Sequence, residues 1–117
     1  MLIQDLNPLL YFIENPRGGM RKSPLMRGMQ HRHTITYCSY GDISMKPTDI
    51  WTNHPIPEFE PMCFNGNKNC HHQPAPRGSK TGTQGKNGNM ERSMIPEKLC
   101  NHIAEISDTY FNYMKNY

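Results

Sequence analysis

Three short runs carry most of the hydrophobic pattern, and each is stopped by proline, glycine or asparagine. LLYFIEN, residues 9–15, reads as a buried strand entered from a helical or coiled N-terminus and ended by Pro16 and Gly18. HTITYCSY, residues 33–40, is β-branched and aromatic, with Gly41 and Asp42 as the turn signal behind it. TDIWTN, residues 48–53, begins just after Pro47 and stops before His54 and Pro55. The second and third runs are close enough in sequence to pair.

From Pro55 to Asn89 the pattern has no period, and Pro, Gly and Asn dominate. So long an irregular stretch reads as a binding segment or as disorder. Regularity returns in ERSMIPEKLCNHIAEISDTYFNYMKNY, residues 91–117. Ser93 is a candidate N-cap, Pro96 falls in the first turn, and Leu99, Ile103, Ile106 and Tyr110 make an apolar stripe suited to core packing. The expected order is strands over 1–54, a basic loop over 55–92 and a closing helix over 93–117, in one α/β domain.

Composition narrows this picture. The chain has 117 residues, no valine, ten prolines and nine glycines, and its mean hydropathy is −0.80. A core built from so little apolar material is small, which suits part of a larger domain. No apolar run reaches the roughly 18 residues of a membrane span, and the N-terminus lacks the pattern of an export signal. The chain therefore reads as cytoplasmic, and Cys38, Cys63, Cys70 and Cys100 read as reduced thiols or metal ligands in preference to a disulfide framework.

Charge matters by position more than by its total of +3. No acid lies between Glu14 and Asp42, where Arg17, Arg21, Lys22, Arg27 and Arg32 fall, nor between Glu60 and Glu91, where Lys68, Arg77, Lys80 and Lys86 fall. Basic, acid-free loops suit a polyphosphate backbone, because each phosphate contact releases condensed counterions. A solvated loop surface explains the same residues without a partner. GSKTGTQGKN, residues 78–87, is not a nucleotide-hydrolase phosphate loop: Lys80 stands at the first glycine position and Asn87 where Ser or Thr is needed.

Two constellations carry chemistry. In FIENPRGG, residues 12–19, a carboxylate at a strand end is followed by a tight turn. Glu14 there can accept a hydrogen bond from an exocyclic amine and, when it shares a proton, act on a ring nitrogen. A turn-capping role for Glu14 or Asn15 is the plainer alternative. In CFNGNKNCHH, residues 63–72, Cys63, Cys70, His71 and His72 are zinc-type ligands. The spacing matches no standard zinc knuckle, and Cys38, His31 or His54 is needed to complete the set.

The succession of FIENPRGG, TYCSYGDISMKPTDIWTN and MIPEKLCNHIAE resembles the C-terminal half of DNA cytosine-5 methyltransferases, especially the divergent phage-type members associated with restriction-modification. The resemblance implies a partial Rossmann-like sheet of about three strands. It implies that Glu14 and Asn15, in the place of the family's Glu-Asn-Val, contact the target cytosine, although Pro16 replaces the valine. Tyr40 and Gly41 match the family's Tyr-Gly. Ser44, Lys46 and Thr48 stand where the family has Gln-x-Arg-x-Arg, so one cation is kept as lysine and one is lost. Ile95 and Pro96 fit the start of the closing segment, and the 55–89 loop would take the place of the target-recognition region. Double-stranded DNA is then the expected partner, with Arg17, Lys46, Arg77, Lys80 and Lys86 as its contacts, and S-adenosylmethionine is the implied cofactor. The family's Pro-Cys nucleophile is absent, since none of the four cysteines follows a proline, and so is the glycine-rich cofactor loop. The resemblance therefore implies a fragment, inactive alone, completed by a separate N-terminal half. The alternative is a small zinc-stabilised nucleic-acid-binding module.

Overall fold

A computed structural model describes residues 9–76 and 82–115. Its sheet has three strands, β1 (Phe12–Pro16), β2 (His31–Thr36) and β3 (Pro47–Thr52), in the order β1-β3-β2 with both pairings antiparallel. The expected partnership of the second and third runs is present. Two helices follow the long loop: α1 (Gly88–Ser93) and α2 (Glu97–Lys115). The domain is mixed α/β, and among the described residues its sheet is purely antiparallel.

As the central strand, β3 is covered on both faces, and Thr48 through Thr52 are all buried. Alternation sends Thr48, Ile50 and Thr52 to one face and Asp49 and Trp51 to the other. On the first face Ile50 joins Ile35, Tyr37, Tyr40 and Leu99 of α2, with Phe12, Phe59 and Ile103 packed alongside. On the second, Trp51 packs with Met26 and Met29, backed by Tyr11 and Ile13. The buried Asp49 is neutralised by the Arg21 guanidinium, which makes bonds of 2.9 and 2.6 Å to its two carboxylate oxygens, and Thr34 donates a third bond at 2.8 Å. Burial raises the Asp49 pKa, but the bonds from Arg21 and Thr34 outweigh it and hold the carboxyl below its ordinary range.

Several boundaries differ from those the pattern predicts. The first strand begins at Phe12, not Leu9, because β3 offers no residue beyond Thr52 to pair. The Asn53 side chain instead accepts from Tyr11 N and donates to Leu9 O. The second strand starts two residues early and stops at Thr36. Tyr37–Tyr40 form a 3-10 turn, so Cys38 is not in a strand. Gly41, at φ +90°, closes that turn with an N–H directed at Cys38 and Tyr37 carbonyls, a conformation that favours glycine. Ser93 does not cap α2. It ends α1, donating to Met90 O, while the Pro96 carbonyl receives the first α2 bonds from Leu99 and Cys100. The apolar stripe of α2 packs on the core through Leu99 and Ile103. No helix among the described residues is long and apolar enough to cross a membrane.

Candidate functional site

The register sets the geometry around Glu14. On β1 it lies opposite Ile50, so its side chain shares the α2 face with the core, while neighbouring Asn15 lies opposite Asp49 on the other face. The Tyr37 hydroxyl, from the 3-10 turn, donates to Glu14 Oε1 at 2.8 Å. Tyr37 is 1% exposed and Glu14 partly so, which puts a fixed donor beneath an accessible carboxylate. Burial first, then the Glu14 charge, pushes the Tyr37 phenol well up, so it stays a donor at neutral pH. Among the described residues no other group hydrogen-bonds the Glu14 side chain. Among the described residues the Asn15 side chain reaches only the neighbouring Pro16 carbonyl, at 3.5 Å. Glu14 and Asn15 are adjacent in sequence but are not brought to one site.

Two lysines surround the same tyrosine. Lys46 Nζ lies 5.0 Å and Lys86 Nζ 5.4 Å from the ring centroid, positions in which the ring face attracts a cation. Both are buried, and both amines have internal acceptors: Lys46 donates to Arg92 O and Lys86 pairs with Asp42. Burial, then repulsion from Lys86, lowers the Lys46 pKa, with Glu14 and Asp42 opposing. The basic sequence pattern identified these cations without disclosing that they point inward. Lys46 has φ +28°, and its N–H donates to Gly82 O at 2.9 Å. Gly82 itself sits at φ +63°, where an added Cβ would stand 3.1 Å from Pro47 Cδ and 3.3 Å from the Lys46 backbone. Arg17, exposed at the end of β1, is held by its N–H to Pro47 O. Arg77 and Lys80 lie outside the described residues.

A second cluster draws on the same turn through Cys38. The ligand atoms of Cys38, Cys63, Cys70 and His72 all lie within 4.8 Å of one another, and the group can hold a metal ion. The sequence singled out Cys63, Cys70, His71 and His72, with Cys38, His31 or His54 to complete the set. Cys38 enters because β2 stops at Thr36 and turns, and His71 leaves because its Nε2 contacts Asp42 O at 2.8 Å. Local bonds position the donors: Cys63 N–H donates to Thr36 Oγ1, Asn67 Nδ2 to Cys63 Sγ, and Cys70 N–H to Asn67 O.

Nothing among the described residues supports an S-adenosylmethionine site. Its usual cradle is a glycine-rich turn leading from a parallel strand into a helix. Each described strand has antiparallel neighbours, and both helices follow the long loop. Comparison with protein-family models, curated proteins and solved structures finds no match in any of the three.

Proposed function

We propose that this chain supplies the target-base and DNA-backbone contacts of a DNA cytosine-5 methyltransferase, with Glu14 holding the edge of the cytosine. The carrying observation is the Tyr37 hydroxyl on Glu14 Oε1, which orients a carboxylate whose second oxygen has no protein donor among the described residues. A cytosine offers that oxygen its exocyclic amine. The base must leave the helix to be reached, and pairing in the duplex opposes that step. Lys46 lies against the Tyr37 ring and adds positive potential, Lys86 being neutralised by Asp42, while the exposed Arg17 is placed to meet a phosphate. On this reading the three antiparallel strands belong to one side of a larger Rossmann-like sheet. The nucleophile and the S-adenosylmethionine loop come from a segment outside these 117 residues, and no reaction step is assigned to this chain alone.

The test is binding to duplex DNA carrying one unpaired cytosine, compared with one unpaired thymine in the same context. Thymine presents an acceptor where cytosine presents a donor, and a good base contact discriminates by about 1–3 kcal/mol, roughly 5- to 150-fold. The expected result is a cytosine preference that disappears in Glu14→Ala while general affinity persists. Equal binding of the two duplexes by the unaltered protein would sink the base-contact role.

A second reading, a small metal-stabilised nucleic-acid-binding module, is favoured by the four-donor cluster. A preference for the unpaired cytosine separates the two, since a generic module has no use for Glu14.

A further inference from the structure

We infer that Cys38, Cys63, Cys70 and His72 form a structural zinc centre that fastens the 63–72 loop to the Tyr37–Tyr40 turn and so holds the floor of the Glu14 site. The donor set is three thiols and one imidazole, a combination that zinc takes in closed tetrahedral sites. A tetrahedron with metal–sulfur arms of about 2.3 Å has edges of about 3.8 Å. Cys63 Sγ and His72 Nδ1 are already 3.8 Å apart, and the widest separation, 4.8 Å, needs a contraction of at most about 1 Å.

Burial supplies an independent argument. His72 is 5% exposed and Cys38 3%. The Nε2 atom of His72 is buried with no hydrogen-bond partner among the described residues, and its Nδ1 faces sulfur. Of the two nitrogens Nδ1 is the one set against the thiols, and a metal there replaces a long sulfur contact with a coordinate bond. Nor does a disulfide account for the group, since one bond consumes two of its three thiols and leaves the third with the imidazole.

Four protein ligands leave no open position, which makes the role structural. Its reach follows from the neighbours of each ligand. Cys38 adjoins Tyr37, the donor to Glu14. His71 bonds to Asp42 O and Gln73 N–H to Ile43 O at 2.7 Å, which fixes the segment that leads to Lys46. An irregular loop with little apolar content is thereby tied to the one turn on which the Glu14 site depends.

Cys100 is exposed on α2, outside the cluster, and serves as an internal standard. The test measures zinc in protein purified without added metal and counts the thiols reactive under native conditions, before and after treatment with a strong chelator. Expected are one zinc per chain, one reactive thiol before chelation and four after. Cobalt substitution gives the sulfur-to-metal charge-transfer and ligand-field bands of a tetrahedral thiolate site. His72→Asn weakens zinc affinity at least tenfold, and His71→Asn leaves it unchanged. Should either substitution unfold the chain, the thiol count on the unaltered protein still decides. Four thiols reactive from the outset with no bound zinc, a Cys63–Cys70 disulfide under reducing purification, or equal loss of zinc in the two histidine variants would overturn the proposal. None of these outcomes bears on cytosine preference, so the two readings fail separately.

Discussion

The Tyr37 hydroxyl reaches Glu14 Oε1 at 2.8 Å across 23 residues of sequence, joining the 3-10 turn after β2 to the far strand of the sheet. Because the phenol is buried and the carboxylate partly exposed, the bond orients Glu14 without consuming it. Tyr37→Phe keeps the packing and removes the donor. A bond to a charged group contributes about 1.5–3 kcal/mol, and partial exposure of Glu14 places the loss near the lower end. Urea denaturation should show a lower midpoint with an unchanged slope.

Arg21 and Asp49 form the pair on the opposite face, and Asp49 has no exposed side-chain surface. Arg21→Met leaves a buried carboxylate without its cation and should cost about 3 kcal/mol at neutral pH. The acid dependence has a definite sign. The folded-state pKa of Asp49 lies below its ordinary value of about 3.9, so its stabilisation is complete above that value and is lost as pH falls through the folded pKa. Asp49→Asn should flatten this acid limb; an unchanged limb would assign acid sensitivity to other groups.

His33 and His54 give a second pH dependence. Burial lowers both pKa values, with His31 adding to the effect on His33 and His33 to that on His54. His33 Nε2 is also buried without a partner and the ring packs on Phe59. The unfolded chain therefore takes up protons first, and stability should fall as pH drops below about 6.5. Melting temperatures of the unaltered protein and His33→Leu, followed from pH 8 to about 5, check this. The variant should lose part of the slope.

Gly82 and Gly66 separate two costs that glycine avoids. Both have positive φ, but an added Cβ at Gly66 meets nothing within 4 Å, whereas at Gly82 it meets Pro47 and the Lys46 backbone. Gly66→Ala should cost about 1 kcal/mol from conformation alone. Gly82→Ala should cost more by a further 1 kcal/mol or so, since core-like overpacking adds to the strain. Equal losses would mean that the Lys46 segment yields freely.

Much of this was legible in the residues, and the remainder had physical reasons to be hidden. β-Branched and aromatic content with clear turn signals located all three strands, and the Leu99 and Ile103 spacing located α2. Strand order was not available, because nothing local says that β1 pairs across β3. The lysines at 46 and 86 were visible as charge, but their burial depends on Tyr37, Asp42 and Arg92 converging from distant segments. Cys63 and Cys70 stood out as candidate ligands. Adjacent His71 and His72 could not be told apart, since only the direction of the backbone decides which ring turns inward. Cys38 could not be chosen over His31 or His54 as the fourth ligand because its run looked like a continuous strand, and Gly41 is what lets the chain turn there.

The most direct measurement is transfer of labelled methyl groups from S-adenosylmethionine to duplex DNA by this chain mixed with the polypeptide encoded immediately upstream, each component also being assayed alone. With Glu14 as the cytosine contact, transfer requires the mixture, and Glu14→Gln lowers it by about 5- to 150-fold, the range a good base contact supplies, while the zinc content stays the same. Transfer by the mixture that is indifferent to Glu14→Gln, or an inactive mixture whose 117-residue component binds unpaired cytosine and thymine equally, would contradict the proposed role.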